Sequence, residues 1–380
     1  MFRELLQRID LKKLAALPRT GSREHLVDTA FIGLLSVALY AVFPPFSDIH
    51  RLWRREAGLA IVGGLGPGEF EYPPVAALYF EPLIGLPSSR WAVVINGIVM
   101  VVAAVGVTSL LLKAAEGENV AMDAVDVRIW SMSPALLAFL PINWDVGAAY
   151  LAVLAVSTLY SRQVNVSGTL LAVGTSLKVF PGALVLPLVP LVRDWAKRFR
   201  FVGSGVVVLG ASYVGYIMVR PETWKVHLEF AGSRADFEST IWGVFDWLGG
   251  MADAGLSVAS VNLLSALSVG VALVALTVWV WITRPTLAQA ATLALIALLL
   301  FNKVFKPQYA LWVLPFLAWT GAKRASVRTF ELTAIVHIAV TYFALPSALV
   351  PLAAAVRVGT LGVLAMEILG RARPHRRSHE

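Results

Sequence analysis

Lysines and carboxylates in this chain fall inside otherwise apolar sequence, where charge is expensive. The segment FNKVFKPQYALW, residues 301–312, sets Lys303 and Lys306 beside Gln308 and Tyr309 between two apolar runs. A lysine near bilayer depth persists where it meets an anion or lines a wet cavity. With two neutral hydrogen-bond donors alongside, the segment reads as a phosphate cradle. The plainer reading is a basic loop against lipid headgroups. Lys178, in TSLKVFPGALVLP, lies deep inside another apolar run. Snorkelling reaches only from helix ends, so Lys178 needs an anion: a structural pair with Asp145 or Glu81, or a ligand.

Three carboxylate-bearing segments complete the set. Asp48 follows Pro44 and Pro45 in PPFSDIHRLW, directly after the first apolar run. A carboxylate there can take a proton from a substrate hydroxyl within hydrogen-bond reach. Asp is also a preferred N-cap for the helix that follows. EFEYPPVAALYF, residues 69–80, brings Glu69, Glu71 and Tyr72 to a Pro-Pro helix start, which is also a sufficient reason for the motif. Glu81 falls in the next apolar run, with Arg357 a conceivable mate. Asp145, in NWDVGAAY, either caps a helix or lines a cavity.

Other chemistries find no residues. There is no cysteine, so thiolate, disulfide and Cys-metal chemistry are excluded. His50, His227 and His337 are too scattered along the chain for a metal site, and HExxH and GxSxG are absent. GGLGPGEF, residues 63–70, lacks the lysine and preceding strand of a phosphate loop. No metal or cofactor is expected.

The elements that position these residues are membrane helices. Apolar residues make up 58% of the chain and charged ones 15%, against roughly 25% charged in soluble domains. Apolar runs cover residues 26–46, 73–86, 91–113, 128–140, 144–160, 166–192, 201–219, 261–283, 287–301, 309–320, 328–346 and 348–369. Several are too short to cross a ~30 Å core alone. Short or Pro-broken helices are tolerated where they line a cavity. Basic residues cluster in the N-terminal tail (Arg3, Arg8, Lys12, Lys13, Arg19, Arg23), at Arg193, Lys197, Arg198 and Arg200, at Lys323, Arg324 and Arg328, and at Arg371, Arg373, Arg376 and Arg377. With each run counted as one crossing, all four clusters share a side, cytoplasmic by the positive-inside rule. The acidic loop 114–127 then falls outside. So do the loop 47–72, with an interfacial helix in IHRLWRREAGLAIV, and the loop 220–257, with Trp224, Trp242 and Trp247 as a headgroup belt. Residues 2–16 form either a basic amphipathic surface helix or an ordinary tail.

Taken in order, the Asp after the first run, the YPP helix start, the NWD turn, SLKVFP and NKVFKPQYALW resemble the polytopic GT-C glycosyltransferases. The resemblance is greatest to glycosyltransferase family 87, the group that includes the polyprenol-phosphate-mannose-dependent mannosyltransferase of phosphatidylinositol mannoside synthesis. LKVFP and NKVFKPQYALW also resemble the catalytic subunit of GPI mannosyltransferase I. The resemblance covers roughly residues 26–320. It implies an all-α polytopic membrane protein with a GT-C fold of about twelve transmembrane helices, in line with the apolar runs, and an outer-face active site. Residues 1–25 and 371–380 would be cytoplasmic tails around a catalytic domain at 26–370. The implied activity is inverting transfer of a hexose, mannose first, from a polyprenyl-phosphate donor to a glycolipid or other extracytoplasmic acceptor at the plasma membrane. Partners would be that donor, that acceptor and membrane lipids, with no nucleic acid.

In this resemblance Asp48 matches the catalytic base. Lys178, Lys303 and Lys306 become donor-phosphate ligands, Lys303 ahead of Lys306. Tyr309, Gln308, Tyr72, Glu69, His50 and Asp145 become substrate contacts. NKVFKPQY has no His, so a helper for Asp48 falls to Tyr72 or Glu69. The alternative is a transporter or flippase of a lipid-linked sugar, which predicts inverted repeats and midplane charges; neither is visible in the sequence.

Overall fold

The computed structural model describes residues 23–59, 65–116, 125–234, 239–250, 255–342 and 349–372. The expected helix at 2–16, the tail arginines before Arg23 and after Arg371, and Glu118 and Asp123 lie outside these residues. Regular structure among the described residues is helical. Among the described residues five helices are long and apolar enough to cross a membrane: Arg23–Val42, Ser89–Glu116, Trp195–Val219, Val258–Thr283 and Leu349–Arg371.

The path of the chain follows from hydrogen bonds between its passes. α1 (Arg23–Val42) runs antiparallel to α4 (Ser89–Glu116): Thr29 bonds Thr108 at 2.8 Å near the start of α1. Gly33 faces Val101, and Gly97 faces Val37. Small residues at such positions let helix backbones approach closely. α2 (Asp48–Glu56) follows a Pro44–Phe46 turn and buries Ile49, Leu52 and Arg55, the amphipathic helix expected there. α3 (Pro74–Ile84) begins at the Pro-Pro start, with Pro73 as N-cap.

α5 (Val127–Ser131) and α6 (Pro134–Phe139) form one broken pass alongside α1. His25 meets Ser131 at 3.3 Å at one end, Tyr40 donates to Ala138 O at 2.7 Å, and Ser47 donates to Pro141 and Ile142 O at the other. α7 (Asp145–Tyr160) returns, and α8 (Val164–Leu177) comes back. The segment from Phe180 to Leu191, two 3-10 turns around α9 (Val185–Leu188), returns again. α10 (Trp195–Val219), α11 (Val226–Ser233), α12 (Ile241–Gly250) and α13 (Val258–Thr283) follow. α14 (Leu287–Phe301), a turn at Pro307–Tyr309, α15 (Ala310–Trp319), α16 (Arg324–Tyr342) and α17 (Leu349–Arg371) complete the bundle.

Three expectations change. The run at 73–86 is not a pass. Glu81 of α3 pairs with Arg220 at 3.1 Å, just past α10, and Ser89 at the start of α4 bonds His50 at 2.8 Å. Both ends of α3 therefore stay on the Asp48 face; its 11 residues rise only about 16 Å. The run at 166–192 is two passes with a turn at Lys178, because Pro181 ends the helical ladder and Lys178 adopts an extended conformation. One pass is lost and one gained, so the path in between is inverted. Asp126, at the end of the acidic loop, lies on the far face, where it pairs with Arg324. Its backbone N–H donates to Ala318 O at 2.9 Å. The described ends still share that face: Arg371 donates to Thr320 and Gly321 O.

Burial separates core from periphery. α15 is entirely buried, whereas only 6% of the apolar window of α10 and 11% of that of α13 is covered. Trp242 is also buried, donating to Phe301 O at 2.9 Å, so it does not belong to a headgroup belt.

Candidate active site

Asp48 stands in the first turn of α2, yet the cap is Ser47. Its Oγ accepts from Ile49 N–H at 3.2 Å and donates to the Pro141 and Ile142 carbonyls at 3.1 and 3.0 Å. The capping reading of Asp48 is therefore overturned, and its half-buried carboxylate is directed to other partners. Asn143 Nδ2 donates to Oδ2 at 3.3 Å, and Gln308 Nε2 approaches the same oxygen at 3.5 Å. Two neutral amides, one from the NWD turn and one from NKVFKPQY, orient the carboxylate without neutralising it.

Asn143 also fixes the next carboxylate. Its side-chain oxygen accepts from Asp145 N–H at 2.9 Å, which replaces a cap for α7. Asp145 is thus not a cap either. Its Oδ1 accepts from Trp312 Nε1 at 2.8 Å and meets Lys178 Nζ at 3.2 Å. Both members of this pair are buried. The ion-pair reading of Lys178 with Asp145 holds; Glu81 is elsewhere. Asp145 Oδ2 is buried with no hydrogen-bond partner.

Aromatic rings enclose the pair. Lys178 Nζ lies 4.8 Å from the Tyr72 ring centroid, 5.7 Å from Tyr309 and 5.8 Å from Trp144. Tyr72 meets Trp144 edge-on at 4.7 Å, and Tyr309 stacks on Trp312 at 3.7 Å. Ring faces attract the ammonium, which offsets part of its desolvation. Burial first, then the Asp48 charge, pushes the Tyr72 phenol well above its ordinary range, so it stays a proton donor at neutral pH.

Behind Tyr72 lies a second ionic group. Arg55 is fully buried, with Nη1 on Glu71 at 2.5 Å and Nε on Glu56 at 3.0 Å. Burial raises the Glu71 carboxyl, and Arg55 pulls it back. Glu56 also accepts from Gly68 N–H at 2.8 Å. These bonds pin the loop that presents Tyr72.

Several expected residues point away. Glu69 accepts from Gly66 N–H at 2.7 Å, a bond within its own loop. His50 bonds Ser89; burial, then Arg54 and Arg51, lowers its pKa and keeps it neutral at pH 7. Arg357 is not the mate of Glu81: it donates to Ser239 O at 2.5 Å and stacks 4.2 Å from the Phe305 ring centroid. Lys306 lies within electrostatic reach of His337. Lys303 Nζ donates to Asn262 Oδ1, to Arg234 O at 3.3 Å and to Gly232 O at 3.5 Å.

Two residues near this constellation escaped the sequence reading. Asn143 was visible as part of NWD but carried no charge to attract notice. Arg234 sits in a polar loop without motif, yet lies within electrostatic reach of both Tyr72 and Tyr309. Among the described residues no cluster of His, Cys, Asp and Glu could hold a metal.

The arrangement offers a base in Asp48, a buried cation in Lys178, and an aromatic wall between bundle and loops. A carboxylate so placed can take a proton from a hydroxyl, and a buried cation can stabilise an anion. No curated protein matches the chain. The model of glycosyltransferase family 87 matches residues 70–302. This stretch takes in Tyr72, Asn143, Asp145, Lys178 and Arg234, though not Asp48. The match covers more than half of the chain, which therefore belongs to glycosyltransferase family 87.

Proposed function

We propose that this membrane glycosyltransferase is an inverting enzyme that moves a hexose, mannose first, from a polyprenyl-phosphate donor to a glycolipid or other lipid-linked acceptor. Asp48 takes the proton of the acceptor hydroxyl. The hydroxyl oxygen attacks the anomeric carbon from the side opposite the phosphate. The bond from that carbon to the phosphate oxygen breaks, and its electron pair leaves with the polyprenyl phosphate. Configuration at the anomeric carbon inverts. Fixed cations near the leaving phosphate stabilise charge that grows in the transition state.

The observation that carries this reading is the environment of Asp48. Ser47 performs the capping, and Asn143 and Gln308 orient the freed carboxylate within electrostatic reach of Tyr72, whose ring meets Lys178. A carboxylate positioned by neutral amides suits a base better than a structural ion pair. Arg23, Arg198, Arg324 and Arg371 lie on the face opposite Asp48. The positive-inside rule then supports an extracytoplasmic active site, and the proposal keeps the plasma membrane and about twelve crossings. With Asp126 paired to Arg324 on that far face, the acidic loop no longer supports the orientation.

The test is purified enzyme with polyprenyl-phosphate-mannose and a mannolipid acceptor. Asp48→Asn should cut transfer by about 10²–10⁴-fold, the usual contribution of a general base, with unchanged thermal unfolding. Wild-type rates in Asp48→Asn would sink the mechanism. Release of polyprenyl phosphate by the wild type distinguishes transfer from flipping, which releases none.

A further inference from the structure

Arg357 is a buried cation for which the described residues supply no anion. It lies inside α17 and is fully buried. Its Nη2 donates to Ser239 O at 2.5 Å, while Nε and Nη1 have no protein partner. A guanidinium keeps its proton in proteins and carries five N–H donors. One carbonyl therefore leaves a full charge and most of the donors unmet. Such a group is costly at membrane depth unless it meets an anion.

The surroundings hold the guanidinium in place. Ser239 Oγ donates to Phe305 O at 2.6 Å, so the residue that binds Arg357 is itself fixed to the segment after α14. The guanidinium carbon lies 4.2 Å from the Phe305 ring centroid. Phe305 also packs on Phe330 and, at 6.5 Å, on Tyr309, whose ring meets Lys178. Arg371, on the face opposite Asp48, is 14 residues further along α17, about 21 Å along the axis. Arg357 therefore belongs to the half of the bundle nearer Asp48. The preceding residue, Val356, lies about 100° around the helix. It and Leu352 form an exposed apolar strip, the kind of surface on which a lipid chain lies.

We propose that Arg357 is the core of a phosphate site for a membrane lipid. The phosphate oxygens take up the unmet donors on Nε and Nη1, and the apolar chain runs along Leu352 and Val356. Guanidinium suits phosphate because its planar donors match the oxygens in charge and spacing. The site goes beyond the transfer reading: it assigns a lipid phosphate to a residue that the sugar-transfer step does not use.

The experiment titrates the full-length protein in maltoside micelles, which bring no phosphate of their own. The probes are farnesyl phosphate, a monoester; lysophosphatidylglycerol, a diester; and inorganic phosphate, with farnesol as the uncharged control. The wild type should bind a lipid phosphate and not farnesol. Arg357→Met should weaken that binding at least about tenfold, the loss of one charge-assisted hydrogen bond. Arg357→Lys, which keeps the charge and loses the planar fork, should fall between the two. Preference for the monoester ties the site to a polyprenyl phosphate, and preference for the diester to a phospholipid. Inorganic phosphate bound as tightly as either lipid overturns the lipid assignment. Thermal unfolding without probe checks the fold of each variant. Should Arg357→Met fail to fold, Arg357→Lys carries the test, and wild-type affinity in it overturns the proposal. So does a folded Arg357→Met that binds like the wild type, or a wild type that binds none of the phosphates. Transfer is not read, so failure here leaves the Asp48 mechanism standing.

Discussion

Lys178 separates structure from function at the scale of one residue. Its ammonium is paired with Asp145 in a buried site. Removing one member of such a pair leaves a lone buried charge, at a cost of about 3–5 kcal/mol. Lys178→Met should therefore lower stability by about that amount in denaturant unfolding, and Asp145→Asn added to it should restore much of the loss. Unchanged stability with lost donor binding would mean that the ammonium serves a ligand instead. Tyr72 gives a pH prediction. Burial and the Asp48 charge raise its phenol, so the folded state holds that proton more tightly than the unfolded chain. The resulting stability is fully present below the ordinary phenol value of about 10 and is lost as pH rises through the raised one. Tyr72→Phe should blunt the alkaline loss of stability and leave the activity profile at neutral pH unchanged in shape. A neutral-range limb that vanishes in Tyr72→Phe would refute this.

At the scale of elements, close backbone approach decides which helices can pair. A Cβ built on Gly168 of α8 would sit 2.0 Å from Phe201 O of α10. That distance is impossible without moving one helix. α8 ends at Lys178, so a shift there moves the site. Gly168→Val should cost about 1–3 kcal/mol or more by overpacking and reduce transfer along with it. Gly210, on the same α10, has open space around its position, so Gly210→Ala should leave both unchanged. If Gly168→Val unfolds like the wild type, the α8–α10 contact is not tight in the membrane.

For the whole molecule, the consequential feature is that α3 turns back while the run after Val164 makes two passes. The face assigned to the acidic loop changes with it. The chain has no cysteine, which permits labelling of single introduced thiols without background. Glu81 and Glu116 are both exposed, at opposite faces of the bundle. On intact cells a membrane-impermeant maleimide should label Glu81→Cys and spare Glu116→Cys. The reverse pattern would invert the proposed orientation, and labelling of both would contradict the traced path.

The sequence by itself determined the solvent of this protein and the residue types at its site. Apolar runs report membrane helices because backbone polar groups must be satisfied internally there. Asp48, Asp145, Lys178, Gln308 and Tyr309 stood out because polar groups in apolar sequence are costly unless partnered. Their ordering also carried the family. Run length could not tell a pass from a helix that turns back, since both bury apolar residues equally well. Nor could it show that Ser47 rather than Asp48 caps α2, because adjacent residues with the same capping ability differ only in backbone conformation. The division of labour among the cations was decided by tertiary structure alone. Lys178 met Asp145, and Lys303 met the end of α11 through hydrogen bonds between segments 69 residues apart. Which ammonium is already satisfied depends on where carbonyls from distant helices end, and no local pattern encodes that.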